Sequence, residues 1–281
     1  MTRTTGRQAK KTKTRAERPA LTARTADKHV LYQLSVQDAK VEVDFIDRVY
    51  RSIFRKRPSS LLEDFCGSAL ICGEWVKRAA SRSATGVDID PKVLGWGKRN
   101  NVAALGEAAA RVRLLRQDVR DPVGARFDVV CAFNFSYWVF RTRDEMRRYF
   151  THVRTLLGRD SVFVLDAYGG WEALQPMQER RRIKGGFTHV WDQNQFDPIT
   201  HEVVNYIHFE FKNGSRLDKA FRYHWRFWTL PELKELLAEA GFSDVEVWWD
   251  VSKAQADDED FRPRLGARNQ PGWLAYLVAR V

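Results

Sequence analysis

The chain has 281 residues, of which 44% are hydrophobic and 30% charged, as is typical of one globular domain or one domain with an insertion. No apolar run reaches the roughly 20 residues of a membrane helix, and the amino terminus lacks a secretory core segment, so we expect a cytoplasmic protein with no membrane partner. The three cysteines are too few and too scattered for a disulfide framework or a zinc site.

The formal net charge of +11 is concentrated at the amino terminus. Residues 1–30 contain nine Lys and Arg and two acidic residues, so nine minus two leaves +7 there and +4 elsewhere. Because this segment has almost no apolar residues, we predict a disordered basic tail over residues 1–29. Its charge could hold RNA loosely, but no aromatic residue is interleaved to stack on bases, which favours a solvated extension.

A helix and five strand-like segments follow the tail. Apolar residues recur every three or four positions from Phe45 to Phe54, which predicts an amphipathic helix that ends before Pro58. Short apolar runs then alternate with helical stretches, at 61–65, 84–87, 112–115, 127–133 and 162–165. This alternation predicts an α/β protein with a doubly wound, mostly parallel sheet, whose cofactor-binding core and N-terminal helices occupy residues 30–176.

The pattern changes after the fifth strand. Residues 177–228 contain aromatic, β-rich segments around the hairpin sequence KNGSR, which predicts an antiparallel insertion. A two-residue turn would mix apolar and polar faces, so we predict a three-residue turn with a bulge. That register pairs Phe211 with Leu217, Ile207 with Phe221 and Val203 with Trp225. The opposite face, which includes His208 and His224, is then either a solvated surface or in part the lining of a pocket.

The last segment, residues 229–281, is predicted to return to the main sheet. Thr229 and Glu232 form a capping box for a helix from Pro231 to Ala240, and Gly241 ends it. The stretches VEVWW and WLAYLVAR then supply two further strands.

Ligands of doubly wound sheets lie at the carboxyl ends of the strands. The residues at those ends are Glu63, Cys66 and Gly67 after the first strand, Asp88 and Ile89 after the second, Asp118 and Val119 after the third, and Asn134 after the fourth. A glycine lets the backbone approach a ligand closely, and a carboxylate after the second strand can bind two ribose hydroxyls. The pattern therefore predicts a pocket for a ligand that contains adenosine.

Two such ligands are a nicotinamide dinucleotide and S-adenosylmethionine. The dinucleotide fingerprint needs Gly-x-Gly-x-x-Gly to hold a pyrophosphate, whereas residues 65–70 read FCGSAL and keep one of those glycines. A ligand without phosphates that carries a sulfonium and an amino group suits the carboxylates of Glu63, Asp88 and Asp118 better.

The stretches LEDFCGSA, GVDID, RQDVRD and FDVVCAFNFSYW resemble, in order and spacing, the motifs of the class I S-adenosylmethionine-dependent methyltransferases. The resemblance implies a Rossmann-like sheet of seven strands with the last antiparallel. It also implies that Gly67 lies beside the methionine portion of the cofactor, Asp88 on the ribose and Asp118 near the adenine amino group. Phe65 and Ala69 stand where this family usually has glycines.

An antiparallel insertion after the fifth strand is frequent in small-molecule N- and O-methyltransferases of this family, so the resemblance implies methyl transfer to a nitrogen or oxygen of a small molecule. The sulfonium is already activated, so alignment of donor and acceptor matters most and no metal follows. An amine must be neutral to attack and a hydroxyl needs a base, and the candidate catalytic residues are Tyr137, Tyr168 and His224. Two alternatives are an RNA or ribosomal-protein methyltransferase that uses the basic tail, and an inactive adenosine-binding protein.

Overall fold

A computed structural model describes residues 21–252 and 260–281. Residues 1–20 of the predicted tail lie outside the described residues. Residues 21–29 of that tail are described and have a defined structure. They contain a turn in which Thr25 N donates to Thr22 O, and then helix α1 (Lys28–Ser35), whose first turn is capped by Asp27. Residues 21–29 therefore differ from the prediction, because local hydrogen bonds at a turn and a cap hold a segment that has few apolar residues.

The described residues form two sheets, of eight and four strands. In chain order the strands are β1 (Ser60–Asp64), β2 (Ser83–Asp88), β3 (Val112–Arg116), β4 (Phe127–Ala132), β5 (Leu157–Gly169), β6 (Met177–Ile183), β7 (Phe187–Phe196), β8 (Glu202–Phe211), β9 (Arg216–Arg226), β10 (Asp244–Asp250), β11 (Phe261–Pro263) and β12 (Trp273–Arg280).

The larger sheet has the order β11-β10-β12-β5-β4-β1-β2-β3. Strands β1 to β5 are parallel, and β12 is antiparallel to both β5 and β10. This confirms the predicted doubly wound, mostly parallel sheet. The eighth strand, β11, was not predicted, because its three residues are too few to give an apolar run. The strand order reverses between β1 and β4, which is where such folds bind their ligands.

Helices cover both faces of this sheet. They are α2 (Ala39–Phe54), α3 (Leu70–Lys77), α4 (Pro91–Gly97), α5 (Arg143–Leu156) and α6 (Leu230–Glu239). Helices α2 and α3 pack on one face, and α5 and α6 on the other. In β1, the neighbours Leu61 and Leu62 contribute to the two different cores, and both are fully buried. Strands buried on both faces explain why their sequences read as continuous apolar runs. The predicted capping box of Thr229 and Glu232 at α6 is confirmed.

Strands β6 to β9 form the antiparallel insertion, with Met177–Ile183 at one edge and Arg216–Arg226 at the other. The predicted pairs of Ile207 with Phe221 and of Val203 with Trp225 are confirmed, but the pairing of Phe211 with Leu217 is wrong, since Leu217 pairs with Phe209. A bulge in β9 shifts the register between these pairs. It contains Lys219 with φ 46°, a left-handed residue that sequence periodicity does not reveal.

The inner face of the insertion covers the carboxyl edge of the large sheet, and α1 packs against it. Leu31 of α1 is buried in a cluster with Phe187, Ile207 and Phe209. A cavity is therefore enclosed between the strand ends, α1 and the insertion.

Candidate active site

The turn between β1 and α3 is left-handed at three positions. Phe65, Gly67 and Ala69 have φ angles of 55°, 52° and 57°. The positions at which Phe65 and Ala69 replace glycines thus keep the backbone conformation that glycine favours. A Cβ atom placed on Gly67 would meet no neighbouring atom closer than 3.9 Å, so the space above this turn is open to a ligand.

Glu63 and Cys66 support this turn from below. The Glu63 carboxylate accepts a hydrogen bond of 2.9 Å from the backbone N–H of Cys72 and so anchors the start of α3. Burial raises the pKa of Glu63 to about 7. The Cys66 thiol is buried against Gly86, where an added Cβ would lie 2.8 Å from the sulfur. Burial raises the pKa of this thiol, which makes it a packing group.

Asp88 connects the first and second turns. One carboxylate oxygen accepts from Gly67 N at 2.8 Å, and the other accepts from Asp90 N at 2.9 Å. Each oxygen keeps a further lone pair, so a ribose with two hydroxyls could still bind. Ile89 beside it is 68% exposed, which leaves an apolar side chain free to cover a ligand.

Asp118 and Val119, after β3, are placed differently. Both carboxylate oxygens of Asp118 accept from the Arg120 guanidinium, at 2.9 and 2.7 Å. Their hydrogen bonds hold the pKa of Asp118 below its usual value. Val119 is buried in the core. An adenine amino group that contacts Asp118 would therefore share its carboxylate with the Arg120 guanidinium.

The turn after β4 is strained and is held by one buried carboxylate. Asn134 and Phe135 have φ angles of 57° and 56°, which are unfavourable for residues with side chains. Their backbone N–H groups donate to Asp166, at 2.8 and 3.0 Å. Burial raises the pKa of Asp166, which lies in β5, to about 7.

The cavity above this turn has a volume of about 420 Å³. Its walls are mainly aromatic, with Trp191, Tyr223 and Trp225 from the insertion. The remaining lining residues are Tyr32, Ser35, Val36, Asn134, Phe135, Tyr168, Glu179, Arg181, His189, Ile207 and Leu274. This cavity lies beside the turn that contains Gly67, because Gln33 of α1, next to the lining residue Tyr32, donates to Ser68 of that turn at 2.7 Å.

Of the three candidate catalytic residues, Tyr168 lines the cavity. Its ring stacks on Trp138 with 4.9 Å between ring centroids, and its hydroxyl accepts from the side-chain amide of Asn205 at 3.3 Å. Tyr137 is fully buried and donates to the carbonyl of Asp166 at 2.7 Å. The structure therefore places Tyr137 in the core beneath the site.

His224 lies on the opposite face of β9 from Tyr223 and Trp225. Its ring nitrogen is 2.7 Å from the carboxylate of Glu202, and Arg141 completes this surface group. The alternation of side chains along a strand explains the placement, because a residue next to two cavity-lining residues points away from them.

Sequence reasoning missed His189 in the cavity wall. It is 8% exposed, and its Nε2 has no hydrogen-bond partner among the described residues. Burial, with the positive charge of Arg181, lowers its pKa to about 4, so the imidazole is neutral at pH 7. Its position could be predicted only from the strand register, since His189 lies between Phe187 and Trp191 on the same inner face of β7.

Sequence reasoning also missed Glu42 of α2. It is 9% exposed, and its Oε2 has no hydrogen-bond partner among the described residues. Burial, together with the charges of Asp166 and Glu63, raises its pKa well above the usual value. A sequence signal did exist, because Glu42 lies on the same helical stripe as Phe45, Ile46 and Val49.

The described part of the chain contains no group of His, Cys, Asp or Glu arranged to hold a metal ion. No helix within it is long and apolar enough to cross a membrane. All three cysteines are free and buried.

No protein-family model and no curated protein matches the sequence, but solved structures resemble this one closely. The CcbJ methyltransferase from Streptomyces caelestis is 18% identical, with a TM-score of 0.67 over 86% of this chain and 94% of that chain. The sugar N-methyltransferase KedS8 from a Streptoalloteichus species is 18% identical, with a TM-score of 0.61 over 98% and 100%. The amino pentose methyltransferase CalS10 from Micromonospora echinaspora is 17% identical, with a TM-score of 0.62 over 90% and 96%. The chain therefore has the fold of the class I S-adenosylmethionine-dependent methyltransferases that its motifs resemble.

Proposed function

We propose that this protein binds S-adenosylmethionine and transfers its methyl group to a nitrogen or oxygen of a small molecule. The observation that carries the proposal is the position of the cavity, which begins at Asn134 and Phe135 beside the open turn at Gly67. An acceptor in the cavity would thus lie next to the methionine end of a cofactor bound over that turn. Two similar structures, those of a sugar N-methyltransferase and an amino pentose methyltransferase, support an amine as the acceptor.

The residues present fit this cofactor. The turn is open above Gly67, Asp88 has acceptor capacity for a ribose, and Glu42 has a buried oxygen that lacks a donor. When bound, the cofactor supplies an electrophilic methyl group on its sulfonium. The protein then has to align the acceptor with that group and to exclude water.

The cavity residues suit the alignment of a small acceptor. The hydroxyl of Tyr168, which the buried amide of Asn205 holds in place, and the neutral imidazole of His189 offer hydrogen-bonding groups, while Trp191 and Trp225 supply apolar walls. A volume of about 420 Å³ is in the range of small-molecule sites. A partly open cavity of this volume fits a small molecule better than an RNA strand. Of the candidate catalytic residues, we retain Tyr168.

We also propose a cytoplasmic location and a division of the chain into functional parts. Three free, buried cysteines are consistent with a reducing compartment. In the proposed division, 30–176 and 229–281 bind the cofactor and 177–228 serve as the lid over the acceptor, since the inner face of the insertion supplies half of the residues that line the cavity.

The experiment that tests the function is methyl transfer from labelled S-adenosylmethionine into a fractionated cell extract, sorted into RNA, protein and small molecules. We expect label in the small-molecule fraction, and micromolar binding of the cofactor with much weaker binding of NAD. Tighter binding of NAD in calorimetry would contradict the proposal. Binding without transfer to any fraction would favour the inactive adenosine-binding alternative.

The RNA alternative is tested by deletion of residues 1–20. These contain seven Lys and Arg and one Glu, so the deletion removes seven minus one, or six, of the +11 charges and leaves Asp27 to cap α1. We expect turnover of the acceptor to stay nearly unchanged at two salt concentrations. A large, salt-sensitive loss would instead indicate an RNA tether, because fewer counterions would be released per complex.

A further inference from the structure

Glu42 differs from the other acidic residues of its helix. Asp44 pairs with Lys40 and Arg78, and Asp47 pairs with Arg82. Glu42 instead has a buried oxygen without a hydrogen-bond partner among the described residues, and the charges that act on it are all carboxylates. A buried acid in such surroundings is costly unless a ligand supplies the missing donor.

The position of Glu42 indicates which ligand this is. Helix α2 packs on α3 and β5, and Glu42 interacts electrostatically with Glu63 of β1 and Asp166 of β5. It therefore lies over the sheet edge between β1 and β5, beside β4. Tyr32, a cavity wall, feels the charges of both Glu42 and Asp166. The ribose-binding candidate, Asp88, ends β2 on the other side of β1, so Glu42 lies on the side of β1 that would be left for the methionine portion.

We infer that Glu42 binds the α-ammonium group of S-adenosylmethionine and loses a proton when the cofactor enters. The inference rests on the proposed cofactor. That cofactor carries two positive groups, but the sulfonium has no N–H, and an acceptor oxygen without a donor is satisfied by the ammonium. Arg181 of the insertion, which lines the cavity, donates to the carbonyl of Ser35, so it does not supply the donor that Oε2 of Glu42 lacks.

The proton release follows from the environment of Glu42. Burial and neighbouring carboxylates favour its neutral form in the free protein, whereas an ammonium group favours the carboxylate. The titratable groups that act on it or feel its charge are Tyr32 of α1, Asp38 at the start of α2, Glu63 of β1, Cys131 of β4 and Asp166 of β5. Glu63 and Asp166 can also release protons near pH 7. The contribution of Glu42 is therefore the difference in the number of protons released between the wild type and a variant that lacks its carboxyl group.

The test is calorimetry of S-adenosylhomocysteine binding at pH 7 in two buffers of different ionisation enthalpy, which counts the protons released. This ligand keeps the ammonium and lacks the sulfonium. We expect Glu42→Gln to lower the count by on the order of one proton and to weaken binding about 10- to 100-fold. Binding of 5′-methylthioadenosine, which lacks the ammonium, should be the same in both proteins. Glu42→Asp should keep the proton release with weaker binding.

The matched control is Asp38→Asn. Asp38 begins the same helix and acts on Glu42 through its charge, but it is solvent-accessible and caps α2 through Val41 N. Asn caps equally well, and burial with the charges of Asp166 and Glu63 keeps Glu42 neutral without the Asp38 charge. This variant should therefore bind and release protons nearly like the wild type.

Three outcomes would overturn the inference. The first is an unchanged proton count and affinity in Glu42→Gln. The second is a loss of affinity for S-adenosylmethionine but not for S-adenosylhomocysteine. The third is an equal loss of affinity for 5′-methylthioadenosine, which would mean that the substitution disturbs the whole site. If wild-type protein binds none of the three compounds, the proposed cofactor is wrong and the inference fails with it.

Discussion

At the scale of single residues, the site is bordered by side chains on strained backbone. Phe65, Ala69, Asn134 and Phe135 are all left-handed, and such residues raise the free energy of the folded state by about 1 to 2 kcal/mol each. Asp166 offsets part of this by accepting two N–H groups of the second turn. Both turns therefore hold a fixed shape before any ligand binds.

Asp88→Ala should weaken cofactor binding by about 1.5 to 3 kcal/mol, since hydrogen bonds to a carboxylate are lost. Asp90→Ala is the matched control, because Asp90 caps α4 through Lys92 N. It should lower stability by about 1 kcal/mol and leave affinity nearly unchanged. Calorimetry and urea denaturation separate the two effects. Equal affinity of Asp88→Ala and wild type would mean that Asp88 only closes the turn onto Gly67.

Tyr168→Phe should lower kcat/KM for the acceptor about 2- to 10-fold, the range for loss of one neutral hydrogen bond, with cofactor affinity unchanged. His224→Asn, on the opposite face of the insertion, should change it less than 2-fold, as surface substitutions usually do. Steady-state kinetics at saturating cofactor measures both. A larger loss in His224→Asn than in Tyr168→Phe would place part of the chemistry on the outer face.

At the scale of elements, α1 is fixed between the two halves of the site. Leu31 packs on the insertion, Gln33 donates to Ser68 of the cofactor turn, and the Trp96 ring nitrogen donates to Asp27 at 2.6 Å. This helix has only eight residues, too few to be stable by itself in water. Its position therefore depends on these few contacts.

Leu31→Ala should destabilise the protein by about 2 to 5 kcal/mol, the range for truncation of a buried leucine, and should raise the KM for the acceptor because α1 closes the cavity. Leu34, on the same helix, is 55% exposed, so Leu34→Ala should stay within about 0.5 kcal/mol. Urea denaturation checks both values. Steady-state kinetics measures the KM of both variants. Similar KM values for Leu31→Ala and Leu34→Ala would show that α1 does not close the cavity.

The sequence predicted the parallel core well because strands buried on both faces leave continuous apolar runs, and their ends mark Glu63, Gly67 and Asp88. It could not predict the cavity wall from the insertion. The register of β9 from Phe221 onward was predicted correctly, but the bulge at Lys219 was not, because nothing local shows that its backbone is left-handed. His189 was missed because its direction follows from the register of β7 and not from residue type.

At the scale of the whole molecule, buried acids set the response to pH. The pKa values of Glu63, Asp64 and Asp166 are raised to about 7 by burial, against about 4 in an unfolded chain. The folded protein therefore keeps protons that the unfolded chain has lost, and stability declines as the pH rises through 7. His189 has the opposite effect, because its pKa is lowered to about 4 in the folded protein. Below pH 6.5 the unfolded chain binds a proton there that the folded protein does not, so this residue lowers stability as the pH falls.

The free energy of unfolding should accordingly fall between pH 6.5 and 8, by on the order of 2 kcal/mol. Urea denaturation of the ligand-free protein at several pH values measures this. Asp166→Asn removes one of the three groups and should reduce the slope. A free energy of unfolding that rises over this interval would contradict the assignment of these three acids as neutral groups at low pH.

The aromatic walls of the cavity also make it optically accessible. Trp191 and Trp225 line it, and Trp138 stacks behind Tyr168, so any occupant replaces water next to indole rings and alters their fluorescence. Compounds that enter the cavity can thus be found by emission changes alone, without a label and without knowledge of the product. A search through amine and hydroxyl compounds in the presence of S-adenosylhomocysteine would use the protein itself as the detector for its unidentified acceptor.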